Sequence, residues 1–179
     1  MVVGREAYEL YDSEKLILPS NLRDDLSDRP NLYRRQKQIF AELDDDEWRR
    51  ALACYYGRIS EIDLQLGRLI AALAVRGQLD DTIVIFTTDH GKYVGSHGFD
   101  AHNVGAFEEI YNIPLVVAGP GIAQGLQIAA RVGLHDLCPT PCALAGAEAI
   151  DVPDSHSCAS LLRDPWACEA QFDSGYAEY

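Results

Sequence analysis

Between Trp48 and Leu73 apolar residues recur every three or four positions: Trp48, Leu52, Tyr55, Ile59, Ile62, Leu66, Leu69, Ile70 and Leu73. That spacing keeps one stripe of a 3.6-residue helix apolar and predicts a single long helix over about residues 46–76. Its start is marked by Asp44-Asp45-Asp46-Glu47. Carboxylates suit the positive end of a helix dipole, and Asp44 and Glu47 stand at capping-box spacing. Gly77 supplies a stop. The pattern then changes. Thr82–Thr88 is a β-branched run without alternation, which predicts a strand covered on both faces, as in a parallel sheet. Ile113–Ala118 predicts a second strand of the same sheet. Pro114 falls at its beginning, where a missing N–H costs least, and Gly119-Pro120-Gly121 ends it. A further helix is expected from near His135-Asp136 to Gly146. The order helix, strand, loop, strand, helix reads as α/β. The long helix is expected to pack on one sheet face through Ile59, Ile62, Leu66 and Leu69.

Around this core segment, residues 46–150, the chain is less regular. Residues 1–45 form a polar, loop-rich lead-in broken by Pro19 and Pro30, with one short helix expected near Asn31–Glu42. A lead-in of that length is uncommon in a compact domain unless it packs over something. Residues 151–179, rich in Asp, Ser, Pro and Cys, read as a loop-rich tail.

At 179 residues and 47% hydrophobic the chain has the material for a buried core. A net charge of -13 argues against nonspecific binding to nucleic acid or to an anionic membrane. It leaves a small anionic substrate open, because a local cation overrides the global field. No apolar run reaches about 18 residues, so no membrane span is expected. Five cysteines cannot pair completely within one chain; they read as mostly free thiols and lean toward a cytoplasmic setting. Cys138 and Cys142 lack a second Cys/His pair to complete a tetrahedral metal site.

The candidate chemistry lies at the exit of the first strand. In open α/β sheets ligands bind beyond the carboxyl ends of strands, and there stand Asp89, His90 and Gly91. A carboxylate and a neutral imidazole are ligands for a divalent cation. Gly91 lets the chain turn sharply. The alternative is that Asp89 caps the turn and His90 packs beneath it.

Several motifs in order resemble the sulfatase family of the alkaline phosphatase superfamily. Tyr56, Ile59, Asp63, Gly67 and Gly77 precede Thr82-Ile-Val-Ile-Phe-Thr-Thr-Asp-His-Gly91. Gly95-Ser-His-Gly98, Phe107-Glu-Glu-Ile-Tyr-Asn-Ile-Pro114, His135-Asp-Leu-Cys-Pro-Thr140 and Leu144-Ala-Gly146 follow. The resemblance runs from about Tyr8 to Leu162. It implies a portion of a three-layer α/β/α alkaline-phosphatase-like domain with a mainly parallel sheet. It implies hydrolysis of a sulfate ester, a small anionic substrate, with Asp89 and His90 as ligands of a divalent cation, most simply Ca2+. Where many members carry a sulfate-binding lysine, this chain has His102 or Asn103. The resemblance therefore gives both a substrate-binding role and gives His102 a catalytic one, donating a proton to the leaving alkoxide. That substitution keeps a phosphodiesterase or phosphonate monoester hydrolase of the same superfamily open, and a non-catalytic fragment is the rival outside enzymes.

The family's nucleophile, a formylglycine made from Cys or Ser in a C/S-x-P-x-R motif, has no counterpart: no Cys or Ser in the 179 residues opens that motif. Formylglycine is expected in a full-length parent and not here. Asp24-Asp25 does not follow a buried strand that would place it at a site. The chain accordingly reads as the later portion of such a domain, cut before the C-terminal subdomain and inactive alone. His97 either lines the site or fixes its loop, Glu108 and Glu109 anchor theirs, and Asp136 is expected to cap a helix.

Overall fold

The computed structural model of the chain describes residues 2–100, 102, 105–148, 150–164 and 172. The helices are α1 (Arg5–Tyr8), α2 (Asn31–Lys37), α3 (Asp45–Val75), α4 (Glu108–Tyr111), α5 (Pro139–Ala145) and α6 (Ala159–Arg163). The strands are β1 (Val84–Thr87) and β2 (Leu115–Ala118), paired in one sheet. The chain forms two compact units, residues 1–78 with 87–115, and residues 79–86 with 116–179.

In the first unit α3 begins as its sequence dictates. Asp44 Oδ1 accepts the Glu47 N–H at 2.8 Å and Glu47 Oε2 accepts the Asp44 N–H at 3.0 Å, so two otherwise orphaned donors are satisfied reciprocally. The helix ends with Gly77 at φ +65°, its N–H bonded to Ala74 O, while Gln78 N–H reaches back to Leu73 O at 2.9 Å. This closing pattern needs a left-handed residue, which glycine adopts without penalty.

The lead-in packs over the first half of α3. Gly57 allows it: a Cβ there would sit 2.8 Å from Ala7 O in α1. Gly4 N–H donates to Glu61 Oε1 at 2.7 Å, and Tyr11 Oη and Ser60 Oγ share a hydrogen bond of 2.7 Å. The buried residues of α3 are Trp48, Leu52, Ala53 and Gly57. Beyond them the stripe expected to face a sheet stays largely exposed. Ile59, Ile62 and Leu69 remain 46%, 47% and 58% exposed, because the cover supplied by residues 2–15 stops near Glu61.

The core of this unit is the cluster Leu26, Tyr93, Phe99, Phe107 and Ile110, with Tyr33 against it. Its rings meet largely edge to face, with Tyr93–Phe99 centroids 5.0 Å apart and Tyr33–Phe107 5.5 Å apart. That is the favoured aromatic geometry.

The two strands run antiparallel. Past the end of β1, Gly91 N–H bonds Ile110 O at 2.9 Å, ahead of β2. At the other end, a Cβ on Gly119 would lie 2.7 Å from Ile83 Cα, so the end of β2 meets the start of β1. The parallel pairing expected from β1 is therefore corrected for this pair. Among its described residues the connection over 88–114 carries the one-turn α4 and a 3₁₀ turn at Ser96–Gly98, and no crossover helix.

In the second unit a 3₁₀ turn at Leu134–Leu137 leads into α5, which ends at Gly146 with φ +68°. Asp136, 3% exposed, does not cap the following helix as expected. Its carboxylate accepts Gly133 N–H and His156 N–H, both at 2.8 Å, and so ties the turn to the loop before α6. Cys158, Leu161 and Phe172 form the local core, backed by Ile128, Ala130, Val132 and Leu162. Cys54, Cys138, Cys142 and Cys158 are free thiols. No helix among the described residues is long and apolar enough to cross a membrane.

Candidate metal and substrate site

Asp89 and His90 follow β1 directly, within the first unit. Asp89 Oδ1 accepts the His90 N–H at 3.0 Å and the Thr88 hydroxyl at 3.2 Å, so one carboxylate oxygen braces the turn. The side chain is nevertheless 81% exposed, and Oδ2 lies 3.8 Å from His90 Nε2. The positive charge of His90, when protonated, is the chief cause that holds the Asp89 carboxyl below its ordinary range. His90 does not pack beneath the turn. Its Nδ1 is 2.8 Å from Gly91 O. A carbonyl can only accept, so Nδ1 carries a proton, and in the neutral ring Nε2 then keeps its lone pair. That is the tautomer a metal-binding imidazole needs, oriented by a backbone carbonyl behind it.

Gly91 makes the turn possible, because a Cβ there would lie 1.9 Å from Glu109 O. His102 stands at the same place. Its ring lies over that of His90 with centroids 4.3 Å apart and planes 6° from parallel. Asn103 lies outside the described residues. Among the described residues no group of three or more His, Cys, Asp or Glu side chains is arranged to hold a metal. Asp89 and His90 thus offer two donors of the right chemistry, an outward carboxylate oxygen and a free imidazole nitrogen.

A second cluster stands behind the loop. His97, with a side chain 13% exposed, places Nδ1 2.7 Å from Asp24 Oδ2 and Nε2 3.2 Å from Asn21 Nδ2. Asn21 Nδ2 also donates to Glu109 Oε1 at 3.1 Å. One neutral tautomer satisfies the whole set: Nδ1–H donates to Asp24 and Nε2 accepts from Asn21. The hydrogen bond from His97 is the leading cause that lowers the Asp24 carboxyl, followed by the Leu26 N–H. Of the two readings open for His97, the geometry gives the loop-fixing one, and Glu109 anchors its loop as expected. Asn21 and Asp24 escaped sequence reasoning because 76 and 73 residues separate them from His97. No periodicity links a polar loop to a glycine-flanked histidine over such a distance. A cavity of about 390 Å³ lies in the second unit, lined by Pro139, Ile150, Asp151, Val152, Ser155, His156 and Ser157, and contains none of the candidate site residues.

The family model and the curated relatives point to one family. The model of the Sulfatase family matches residues 24–147. Arylsulfatase K of Danio rerio is 33% identical over 126 residues, covering 70% of this chain and 24% of that protein. Choline-sulfatase of Rhizobium meliloti (strain 1021) is 37% identical over 105 residues, covering 59% of this chain and 20% of that protein. The crystal structure of phosphonate monoester hydrolase of Agrobacterium radiobacter superimposes with a TM-score of 0.78 at 26% identity, covering 90% of this chain and 35% of that one. The chain therefore spans about a quarter of the length of the curated relatives it matches. With the family model spanning more than half of its residues, the chain belongs to the sulfatase family.

Proposed function

We propose that the chain is the later part of the catalytic domain of a sulfuric ester hydrolase, and that Asp89, His90 and His102 form its share of the active site. The observation that supports this most is the pair at the exit of β1: an exposed Asp89 carboxylate beside a His90 whose Nδ1 is engaged by Gly91 O at 2.8 Å. A divalent cation, Ca2+ in the simplest case, would take Asp89 Oδ2 and His90 Nε2 as two of its donors. When bound, such a cation neutralises charge that builds on the sulfuryl oxygens. The remaining positions of a calcium-type ion, which wants about six to eight oxygens, fall to groups outside this pair.

The other residues bind and orient. His102, stacked on His90, presents an imidazole to an anionic ester where many members of the family use lysine. An imidazole can donate a hydrogen bond to an ester oxygen and can pass a proton to a leaving alkoxide. Asn103, its neighbour in sequence, is the further candidate for contacting the ester. The formylglycine nucleophile belongs to a C/S-x-P-x-R segment, and the residues present do not fit it. No step is therefore assigned to it here. In the complete domain the antiparallel pair β1–β2 would be one part of the larger, mainly parallel sheet of a three-layer α/β/α fold.

A second reading, phosphonate monoester hydrolysis, is favoured by the likeness to the Agrobacterium enzyme. Two titrations test the proposal. Calcium, or luminescent terbium in its place, should bind the chain weakly, and Asp89→Asn should weaken that binding by about tenfold or more, as loss of a direct charged ligand implies. Sulfate, phosphate and methylphosphonate titrated against the His102 imidazole resonance should rank the ester classes. Terbium binding unchanged in Asp89→Asn would overturn the metal assignment.

A further inference from the structure

We infer that His97 is the positioning residue of this site: it holds together the cluster to which Phe99 and Gly105, on either side of His102 in sequence, are tied. The significance of the inference rests on the proposed function, but its geometry does not.

His102 lies midway in sequence between Phe99 and Gly105. Both of these residues are tied to one cluster. Phe99 is fully buried, its N–H bonds Ser96 O at 3.0 Å, and its carbonyl accepts Gly95 N–H at 2.7 Å. Gly105, at φ +102°, gives its carbonyl to Tyr93 Oη at 3.1 Å. A side chain there has no room, since a Cβ would fall 2.6 Å from the Tyr33 ring and 2.7 Å from Tyr93 Oη. Phe107, which opens α4, lies under the His97 ring with centroids 3.9 Å apart and planes at 24°. His97 thus touches the aromatic cluster on its face. Through its edge it holds Asp24 at 2.7 Å and Asn21 at 3.2 Å, and Asn21 in turn holds Glu109 in α4.

The backbone shows that this arrangement is imposed rather than relaxed. Val94 at φ +42° and His97 at φ +56° sit in the left-handed region, and so does Leu26 at φ +54°, two residues after Asp24. For a β-branched or bulky residue that conformation is a true outlier, costly unless surrounding structure over-determines it. Here the surroundings do so from both sides: Leu26 and Val94 are buried, and the His97 ring is bonded at both nitrogens. Three strained residues in two segments that His97 joins, with no bonding of His97 to the candidate ligands among its described contacts, fit a device that holds the residues flanking His102 in register. Fixing Phe99 and Gly105 narrows the positions open to His102, which lies between them in sequence.

The test uses the full chain and two variants, His97→Phe and Asp24→Ala. The first keeps a ring against Phe107 and removes both polar edges; the second removes the partner of Nδ1. Imidazole resonances of His90 and His102 are read at constant pH, because stacked rings shift one another. Amide resonances of the second unit serve as the folding control. The expected result is that both variants keep the control resonances while the His90 and His102 shifts move to those of unstacked histidines, and that His97→Gln restores part of the signature. If His97→Phe does not fold, Asp24→Ala decides. His90 and His102 shifts unchanged in a folded variant would overturn the inference, and so would losses spread equally over the second unit, which would make His97 a general stability element. Terbium binding to the unmodified chain is measured alongside, so that failure of the metal assignment is seen separately from failure of the loop assignment.

Discussion

Gly91 sets how closely the exit of β1 can approach α4. An added methyl group would lie 1.9 Å from Glu109 O and 2.9 Å from its carbonyl carbon, so backbone has to move. Gly91→Ala is expected to destabilise the chain by about 1–3 kcal/mol, as overpacking of a fitted contact does, and urea unfolding measures it. Asp24 makes a different kind of prediction. Its carboxyl is more acidic folded than unfolded, first through the His97 hydrogen bond. A depressed carboxyl stabilises the fold above its ordinary value of 3.8, and that contribution is lost as pH falls through the lower folded value. Asp24→Asn should therefore lose stability less steeply than the unmodified chain below about pH 4, read from unfolding midpoints along a pH series. At this scale the sequence singled out Asp89 and His90 as candidates because ligand-type residues at a strand exit stand out locally, and His102 through the family's lysine position; the structure sets the His102 ring against that of His90. It did not reveal the partners of His97, because hydrogen bonds across more than 70 residues leave no local mark.

Among the elements, α3 was the most legible. Its capping acids, its stripe and its terminal glycine all act within a turn or two of sequence, and the observed bounds Asp45–Val75 fall within a residue of those expected. Asp44→Ala removes the acceptor for Glu47 N–H and is expected to cost about 0.5–2 kcal/mol, seen as a lowered thermal midpoint with the fold retained. What the stripe could not show was its partner. Periodicity says that one face is apolar, not which surface covers it, and in this structure the lead-in covers only the first half. The same holds for β1. Its β-branched run correctly marked a strand, but the direction of its neighbour depends on how residues 88–114 fold back. Its described residues make aromatic and histidine contacts and form no crossover helix, in keeping with the antiparallel pair.

For the whole molecule the question is what 179 residues of the sulfatase family can do alone. The chain aligns with 35% of the phosphonate monoester hydrolase of Agrobacterium radiobacter and with 20–24% of the curated relatives named above. On the proposed assignment Asp89 and His90 would offer two donors to a cation that wants about six to eight, so binding should be weak and water should fill much of the coordination shell. No cysteine or serine opens a C/S-x-P-x-R motif, which closes the covalent route that divides one hard displacement into two easier steps. A stacked imidazole remains, and general acid–base help from such a group is worth about 10²–10⁴-fold, far short of the rate enhancements of about 10⁶-fold or more typical of enzymes. Residues 1–179 alone, given calcium and a chromogenic aryl sulfate, should therefore show no turnover above that of an Asp89→Asn control. Turnover well above the control would mean that a nucleophile other than formylglycine operates in this chain. Asp89, His90 and His102 would then be where a search for it should begin, because a nucleophile must lie within reach of the groups that polarise the ester.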